Sequence, residues 1–253
     1  MSTGLLTDKT AVVTGGSSGI GFATAQLFVD EGATVIVTGR RTAELGATTA
    51  QLGSHAHDVP GDVTVPADLE RLYEAAVRLG GIDVLFATAG VADGAPLGAI
   101  TREHFQLLFD INVKGVVFTV QTLLPLIREH GGSIILNSSA AADRGRPGTS
   151  VYAATKAAVR SLARTWANEL GSRGIRVNTV NPASTETPGL MALNDAGPSV
   201  DDEQFKTQRS QGIPLGPLAT SDEVANAVLF LASGLSSFTT GAALPVDGGY
   251  NQI

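Results

Sequence analysis

The stretch that most restricts what this chain can fold into is Thr10-Ala-Val-Val-Thr14, which runs directly into Gly15-Gly-Ser-Ser-Gly-Ile-Gly21. A short β-branched run without polar alternation reads as a strand buried on both faces, as in parallel sheets. The residues beyond it follow helical spacing, with Ala23, Leu27 and Phe28 on the inward side. Strand, glycine loop and helix in that order put unpaired helix amides at the strand's carboxyl end. A pyrophosphate can be held there, and glycine lets the backbone approach it. The spacing is Gly-x-x-x-Gly-x-Gly, not the commoner Gly-x-Gly-x-x-Gly. Read alone, these residues would equally form an ordinary flexible loop.

The alternation persists along the chain. Further strand patterns are Ala33 to Gly39, a weaker one leading to Gly61-Asp62-Val63, Ile82 to Ala87, Gly132 to Ser139, Ile175 to Val180 and Ala242 to Val246. Helical patterns cover Thr42 to Gln51, a stretch opening at Pro66 with Leu69, Leu72, Ala76 and Leu79 inward, and Tyr152 to about Gly171. Thr101 to His130 reads as one long helix, with Phe105, Leu108, Phe109, Ile111, Val113, Val116 and Val117 mostly in the core. Thr220-Ser-Asp-Glu223 is a capping box opening a helix through Ala232. Pro182 to Pro217 holds five prolines and little periodicity, and is too long for a plain connector. It reads as a lid over a site or a disordered insertion. No linker or repeat interrupts the series. The expectation is a single α/β domain over residues 1–253. It would be a doubly wound parallel (Rossmann) sheet of about seven strands with helices on both faces, and 183–217 as a substrate lid.

Charge narrows the partners. A net charge of −7 with no long basic run argues against nucleic acid or an anionic membrane. Cysteine is absent, which removes disulfides, thiolate metal sites and a cysteine nucleophile. Residues 1–9 lack a signal pattern, and no uninterrupted apolar run approaches the roughly 20 residues of a spanning helix. A soluble cytoplasmic protein acting on a small molecule is the expectation, with no metal.

Tyr152 and Lys156 stand four apart, on one face of the helix predicted there. For a phenol to act as acid or base at neutral pH its pKa must fall by roughly 3 units, or about 4 kcal/mol. A cation about 4 Å away at an effective dielectric of about 20 supplies that much. In isolation such a pair is usually a solvated Tyr and Lys on a helix surface. At the end of the second strand the chain has Gly39 and then Arg40-Arg41. An acidic residue there would bind the ribose hydroxyls of NAD, whereas guanidiniums suit a 2′-phosphate, so the reading is NADP(H). Asp62, Val63, Thr88, Ala89 and Gly90 fall at strand carboxyl ends, where open α/β sheets bind ligands. Asn112 interrupts an apolar helical run and by itself reads as a structural polar residue.

Taken in order, Thr14-Gly15-x-x-x-Gly19-x-Gly21, Ala89-Gly90, Asn112, Ser139, Tyr152-x-x-x-Lys156, Asn181-Pro182 and Thr187 resemble the short-chain dehydrogenase/reductase family over essentially the whole chain. Ser236 to Gly249 is similar to the branch with 3-oxoacyl-carrier-protein reductases and related alcohol dehydrogenases. The resemblance implies reversible hydride transfer between a nicotinamide and a carbonyl/alcohol pair. It makes Tyr152 the general acid/base and has Lys156 depress its pKa and bind the nicotinamide ribose. Ser139 would hold the substrate oxygen, and Asn112 would bend its helix and hold a water linking Lys156 to solvent. It assigns Gly15, Ser17, Gly19, Ile20 and Gly21 to the pyrophosphate loop, Ser18 and Arg40, with Arg41 beside them, to the 2′-phosphate, and Asp62 and Val63 to the adenine. Ala89 and Gly90 go to the adenosine side, and Pro182 and Thr187 to the nicotinamide end. It also implies a homotetramer with residues 246–253 near an interface.

Two departures from the family pattern carry expectations of their own. Thr88 stands where the family has Asn, which implies weaker support beside the cofactor. Ala183 stands where it has Gly, which implies strain if that position needs a positive φ. Two other readings stay open: an NAD-linked alcohol, sugar or steroid dehydrogenase working oxidatively, and a cofactor-binding regulatory protein without chemistry. Enoyl reductases of related fold place Tyr and Lys farther apart than four residues. Residues 91–96, 140–149 and the lid would wall the substrate pocket, made fairly apolar by Ala140, Ala141, Ala142 and Leu190.

Overall fold

The computed structural model describes residues 4–195 and 200–252. Seven parallel strands, β1 (Thr10–Thr14), β2 (Thr34–Gly39), β3 (Ala56–Pro60), β4 (Val84–Ala87), β5 (Ser133–Asn137), β6 (Arg176–Pro182) and β7 (Ala243–Val246), form one sheet in the order β3-β2-β1-β4-β5-β6-β7. Strand order reverses between β1 and β4, which pair from Ala11↔Val84 to Thr14↔Ala87. A crevice opens at such a switch point, outside the strands' carboxyl ends.

Side-chain alternation along the strands divides the core in two. Val12, Leu85, Ile134, Leu136 and Val177 face one layer, containing α3 (Pro66–Arg78), α5 (Gly115–Leu123) and α6 (Ser150–Leu170). Ala11, Val13, Val35, Val37, Phe86 and Ile135 face the other, built on α1 (Gly19–Asp30), α2 (Thr42–Leu52) and α9 (Ser221–Ala232). Both faces of the inner strands such as β1 and β4 are therefore buried, which is why those strands read as apolar runs, whereas the edge strand β3 is partly exposed and reads weakly. Each fully buried Val, Leu, Ile or Phe contributes roughly 1.5–3 kcal/mol. Pro66 occupies the first turn of α3, and the Thr220–Glu223 capping box closes reciprocally at the start of α9.

Two sequence expectations are corrected. The long helix expected over 101–130 is α4 (Arg102–Phe109), a π turn over Asp110–Lys114, α5, and a 3₁₀ turn over Leu124–Leu126. It ends there because Pro125 supplies no amide, and Ile127 turns extended to bridge Ile82. Its buried face is Leu108, Ile111, Asn112, Val116, Thr119, Val120 and Leu123; Phe105 is exposed and stacks on Phe109 instead. Arg102–Leu126 is long and apolar enough to cross a membrane by length and composition. Leu108, Val116, Val120 and Leu123 of this span are buried, while Phe105, Leu107 and Phe118 are exposed. The second correction is the stretch expected to lack periodicity, which contains α7 (Pro188–Asp195) and α8 (Asp202–Ser210). Asn194 joins them, donating to the Val200 carbonyl at 2.9 Å and to Asp202 at 3.1 Å. Residues 196–199 of the expected lid, and Ile253 of the expected interface segment, lie outside the described residues.

Candidate active site

The carboxyl ends of β1, β2, β3 and β4 deliver one groove. It is lined by Gly15, Ser17 to Gly21, Thr38 to Arg41, Gly61 to Val63, Thr88 to Val91, Ile111, Thr187 and Gly189. Of the residues expected to hold a dinucleotide, Pro182, Tyr152 and Lys156 do not line this groove; Pro182 lies in β6 opposite Val246. A Cβ on Gly21 would stand 2.2 Å from the Gly15 carbonyl oxygen, so only glycine permits this closure. Gly15 has φ 68°, and a side chain there would press on Ala89 Cα at 3.0 Å. Ser18, at the N-cap of α1, gives its amides no side-chain acceptor, and the first turn holds no acidic residue. Those donors are available to a phosphate. The residues present fit a dinucleotide.

The arginines separate. Arg41, not Arg40, reaches the glycine loop, donating to Ser18 Oγ at 2.9 Å and Ser17 Oγ at 3.4 Å. Arg40 stands 4.0 Å from Asp62. Arg41 is at the start of α2, and its side chain swings back over the loop. Asp62 accepts from the Thr64 amide and hydroxyl at 2.8 Å, and its own amide donates to Asp68 at 2.7 Å. That amide, with Arg71 beside it, holds the Asp68 carboxyl below its ordinary range. Val63 packs against Gly115, where a Cβ would approach it to 2.7 Å.

Of the two departures, Ala183 lacks the consequence expected of it. Thr14 Oγ1 accepts from the amides of both Thr88 and Ala89 at 3.1 Å, so a hydroxyl from β1 supports this corner. The non-glycine residues with left-handed backbone among the described residues are Asp8 and His130, so Ala183 carries no such strain.

Next to the groove, beyond Gly90, α6 brings Tyr152 and Lys156 to the exit of β5. Ser138 Oγ donates to the Lys156 carbonyl at 2.9 Å, fixing the helix to the strand end. Lys156 is buried; its Nζ donates to the Asn137 carbonyl at 2.9 Å and lies 5.7 Å from the Tyr152 ring centroid. Burial lowers Lys156 from 10.5 to about 8. Burial also pushes the Tyr152 phenol up, while a hydrogen bond with Ser139 pulls it down. Against desolvation, Ser139 is the group acting downward on the phenol. Ser139 Oγ also accepts from the Ala141 amide at 3.1 Å, capping a 3₁₀ turn over Ala140–Ala142.

Asn112 sits in the π turn, with both side-chain donors tied to protein. Its Nδ2 donates to the Val91 carbonyl at 2.9 Å and Thr155 Oγ1 at 3.2 Å, and Oδ1 accepts from the Val91 amide at 2.8 Å. A Cβ on Gly90 would meet Asn112 Oδ1 at 3.1 Å and Lys156 Nζ at 3.6 Å, so Gly90 keeps both close to one small volume. Sequence reasoning missed Thr14 and Thr155. Thr155 is fully buried, donates to the Tyr152 carbonyl at 2.7 Å and links it to Asn112. The available signal was a hydroxyl beside each motif, which becomes specific only when the partner across the fold is known.

Two of the three expected pocket walls are joined, since the Ala95 amide donates to the Gly148 carbonyl at 2.9 Å. The lid meets the glycine loop directly: Thr187 caps α7, and a Cβ on Gly19 would lie 3.1 Å from its methyl.

Fold and site together define a dinucleotide-dependent oxidoreductase scaffold, and comparison with known proteins agrees. A family model described as enoyl-(acyl carrier protein) reductase matches residues 15–251. The oxidoreductase asL5 of Sarocladium schorii is 46% identical over 250 residues, covering 98% of each chain. The 3-oxoacyl-[acyl-carrier-protein] reductase FabG of Thermotoga maritima is 37% identical, over 96% of this chain and 98% of that protein. Among solved structures, 3-ketoacyl-(acyl-carrier-protein) reductase from Brucella melitensis, complexed with NADH, superposes with a TM-score of 0.87 at 31% identity, covering 97% of this chain and 99% of that one. The chain belongs to the short-chain dehydrogenase/reductase family and is an oxidoreductase with FabG-like relatives.

Proposed function

We propose that the protein is an NADP(H)-dependent reductase of ketones, working reversibly on the corresponding secondary alcohols. The observation that carries the reading is the convergence of Ser139, Tyr152 and Lys156 next to a groove that holds Arg41 over Ser17 and Ser18. The glycine loop, Asp62, Val63, Ala89, Gly90, Pro182 and Thr187 would hold the cofactor, with Arg41 and Arg40 at the 2′-phosphate. The bound cofactor would supply the hydride. Tyr152 would pass its phenolic proton to the carbonyl oxygen, and take it back in alcohol oxidation. Ser139 would donate to the same oxygen as charge develops on it. Lys156 keeps donors beyond the one given to Asn137, available to the ribose and to Tyr152. Asn112 Oδ1 retains one lone pair for a water beside Lys156.

The four-residue step from Tyr152 to Lys156 supports carbonyl over enoyl reduction. The same reading takes residues 1–253 as one domain with 183–217 as the lid, and the cell compartment as the cytoplasm. A homotetramer fits the exposure of Phe105 and Phe118 on adjoining helices. A second reading, an NAD-linked dehydrogenase of alcohols, sugars or steroids, draws support from Arg40 being engaged with Asp62 and from the relative complexed with NADH. Following NADPH and NADH absorbance against ketones, 3-oxoacyl thioesters and alcohols separates them. Ketone reduction with NADPH preferred supports the first reading. Alcohol oxidation with NAD preferred supports the second, and hydride transfer to nothing overturns both.

A further inference from the structure

The C-terminal turn is built into the wall of the active site. Asp247 is buried and organises the turn, accepting from the Gly249 amide at 3.0 Å, the Asn251 amide at 3.1 Å and Gln252 Nε2 at 3.2 Å. Gly248 and Gly249 have φ of 58° and 89°, and a Cβ on either would strike the end of the lid, Ile213 at 2.6 Å or Pro214 at 3.1 Å. The Leu215 amide also donates to the Gly248 carbonyl at 3.1 Å. From the other side of the turn, Asn251 Nδ2 donates to the Ala140 carbonyl at 2.8 Å, and the Arg144 guanidinium stacks over the Tyr250 ring at 4.2 Å. Residues 250 and 251 thus grip the segment that begins at Ser139. Asn251 Oδ1 is buried and has no partner among the described residues, a cost that the Nδ2 contact must offset.

We propose that Asn251 is a positioning residue: by holding the Ala140 carbonyl it fixes the 3₁₀ turn that aims the Ser139 hydroxyl at Tyr152 and the substrate oxygen. The Ala142 and Asp143 amides hold the Ser139 and Ala140 carbonyls from within the turn, at 3.0 and 3.1 Å, and Asn251 adds an anchor from outside it. The Ala140 carbonyl is the first acceptor after Ser139, and Asn251 is 111 residues away in sequence, so no local pattern supplies this anchor. The lid residues Ile213 to Leu215 lie on the opposite side of the same turn, so lid and Ser139 share one support.

This inference rests on the ketoreductase reading for its kinetic arm but not for its spectroscopic one. Asn251→Ala removes the donor, and Asn251→Asp, of the same shape, sets an acceptor oxygen against the Ala140 carbonyl. Both are expected to lower kcat for ketone reduction roughly ten- to hundredfold, the loss typical of a slightly misplaced group. The dissociation constant of NADPH stays within about twofold, since the groove at Gly15 to Gly21 is untouched. The rising limb of the pH profile for alcohol oxidation moves to higher pH, because the Ser139 bond that lowers the Tyr152 phenol is weakened. The backbone amide resonance of Ala141, which reports its bond to Ser139 Oγ, shifts in both variants. Unchanged kcat and an unchanged Ala141 resonance in both overturn the proposal. So does a joint loss of kcat, NADPH affinity and folded structure, which marks a merely structural contact. If the native protein reduces no ketone, the functional reading falls, and the Ala141 resonance alone decides this inference.

Discussion

Lys156 Nζ lies 5.7 Å from the centroid of the Tyr152 ring while donating to the Asn137 carbonyl at 2.9 Å. The lysine is therefore anchored to the sheet first and to the phenol only at a distance. Burial dominates the phenol, and the hydrogen bond with Ser139 is what acts against it.

Replacing Tyr152 by Phe removes the proton donor and leaves the ring. Since the groove from Gly15 to Thr187 does not depend on the hydroxyl, NADPH affinity should hold. Turnover should fall by about 10²–10⁴, the usual contribution of a positioned acid/base. Steady-state kinetics alongside fluorescence titration of NADPH checks both halves; ordinary turnover in the variant would remove Tyr152 from the chemistry.

Lys156 also makes stability depend on pH. In the cofactor-free folded protein it gives up its proton at about 8, whereas its ordinary value is 10.5. Between those values the unfolded chain binds more protons than the folded one, so this group's contribution to stability rises as pH rises through the window. Below about pH 8 both states are protonated and the full cost of burying the charge is present. Urea midpoints measured between about pH 8 and pH 10 should climb in the native protein and climb less in Lys156→Met. Equal slopes in the two would show that the ammonium is better solvated than its position implies.

How far this arrangement could be read from sequence depended on whether the relevant partner was local. The strand–loop–helix of residues 10–30 and the helical face carrying Tyr152 and Lys156 are set by neighbours in sequence, and both patterns matched the structure. The break after Leu126 was signalled by Pro125 but hidden by the apolar run around it. α8 escaped because its exposed surface is nearly all polar, with Phe205 its one buried residue among those described, so no apolar stripe marked it. Arg40 and Arg41 are adjacent, and nothing in sequence separates a side chain that folds back over the loop from one that points to Asp62. Thr14 and Thr155 act through partners 74 and 43 residues away.

That difference between the arginines gives a direct comparison. Arg41 is already held at Ser17 and Ser18 by two hydrogen bonds, whereas Arg40 must leave Asp62 to reach the same phosphate. Arg41→Ala should weaken NADPH by roughly ten- to hundredfold, the worth of a charge-assisted bond of about 1.5–3 kcal/mol, with NADH nearly unaffected. Arg40→Ala should have the smaller effect, because its guanidinium stands beside Asp62 and not over the glycine loop. Dissociation constants for both cofactors in both variants test this; equal losses for NADPH and NADH would argue against a 2′-phosphate site.

Thr14 carries the corner where β1 and β4 part. Its Oγ1 accepts two amides, Thr88 and Ala89, at 3.1 Å each, and Ala89 and Gly90 line the groove immediately beyond. Thr14→Val keeps the shape and removes the acceptor, leaving two partly buried amides without it, which should cost about 1–3 kcal/mol in denaturant unfolding. Thr14→Ser keeps the acceptor and should recover most of that loss. The functional consequence follows from geometry, since Gly15 packs on Ala89 Cα with no room to spare. If residues 88–90 drift when Thr14 is lost, the glycine loop loses its back wall, and NADPH affinity should fall in Thr14→Val and return in Thr14→Ser. A Thr14→Val protein with native stability and native NADPH affinity would mean that the β4 strand end is held by its ladder alone.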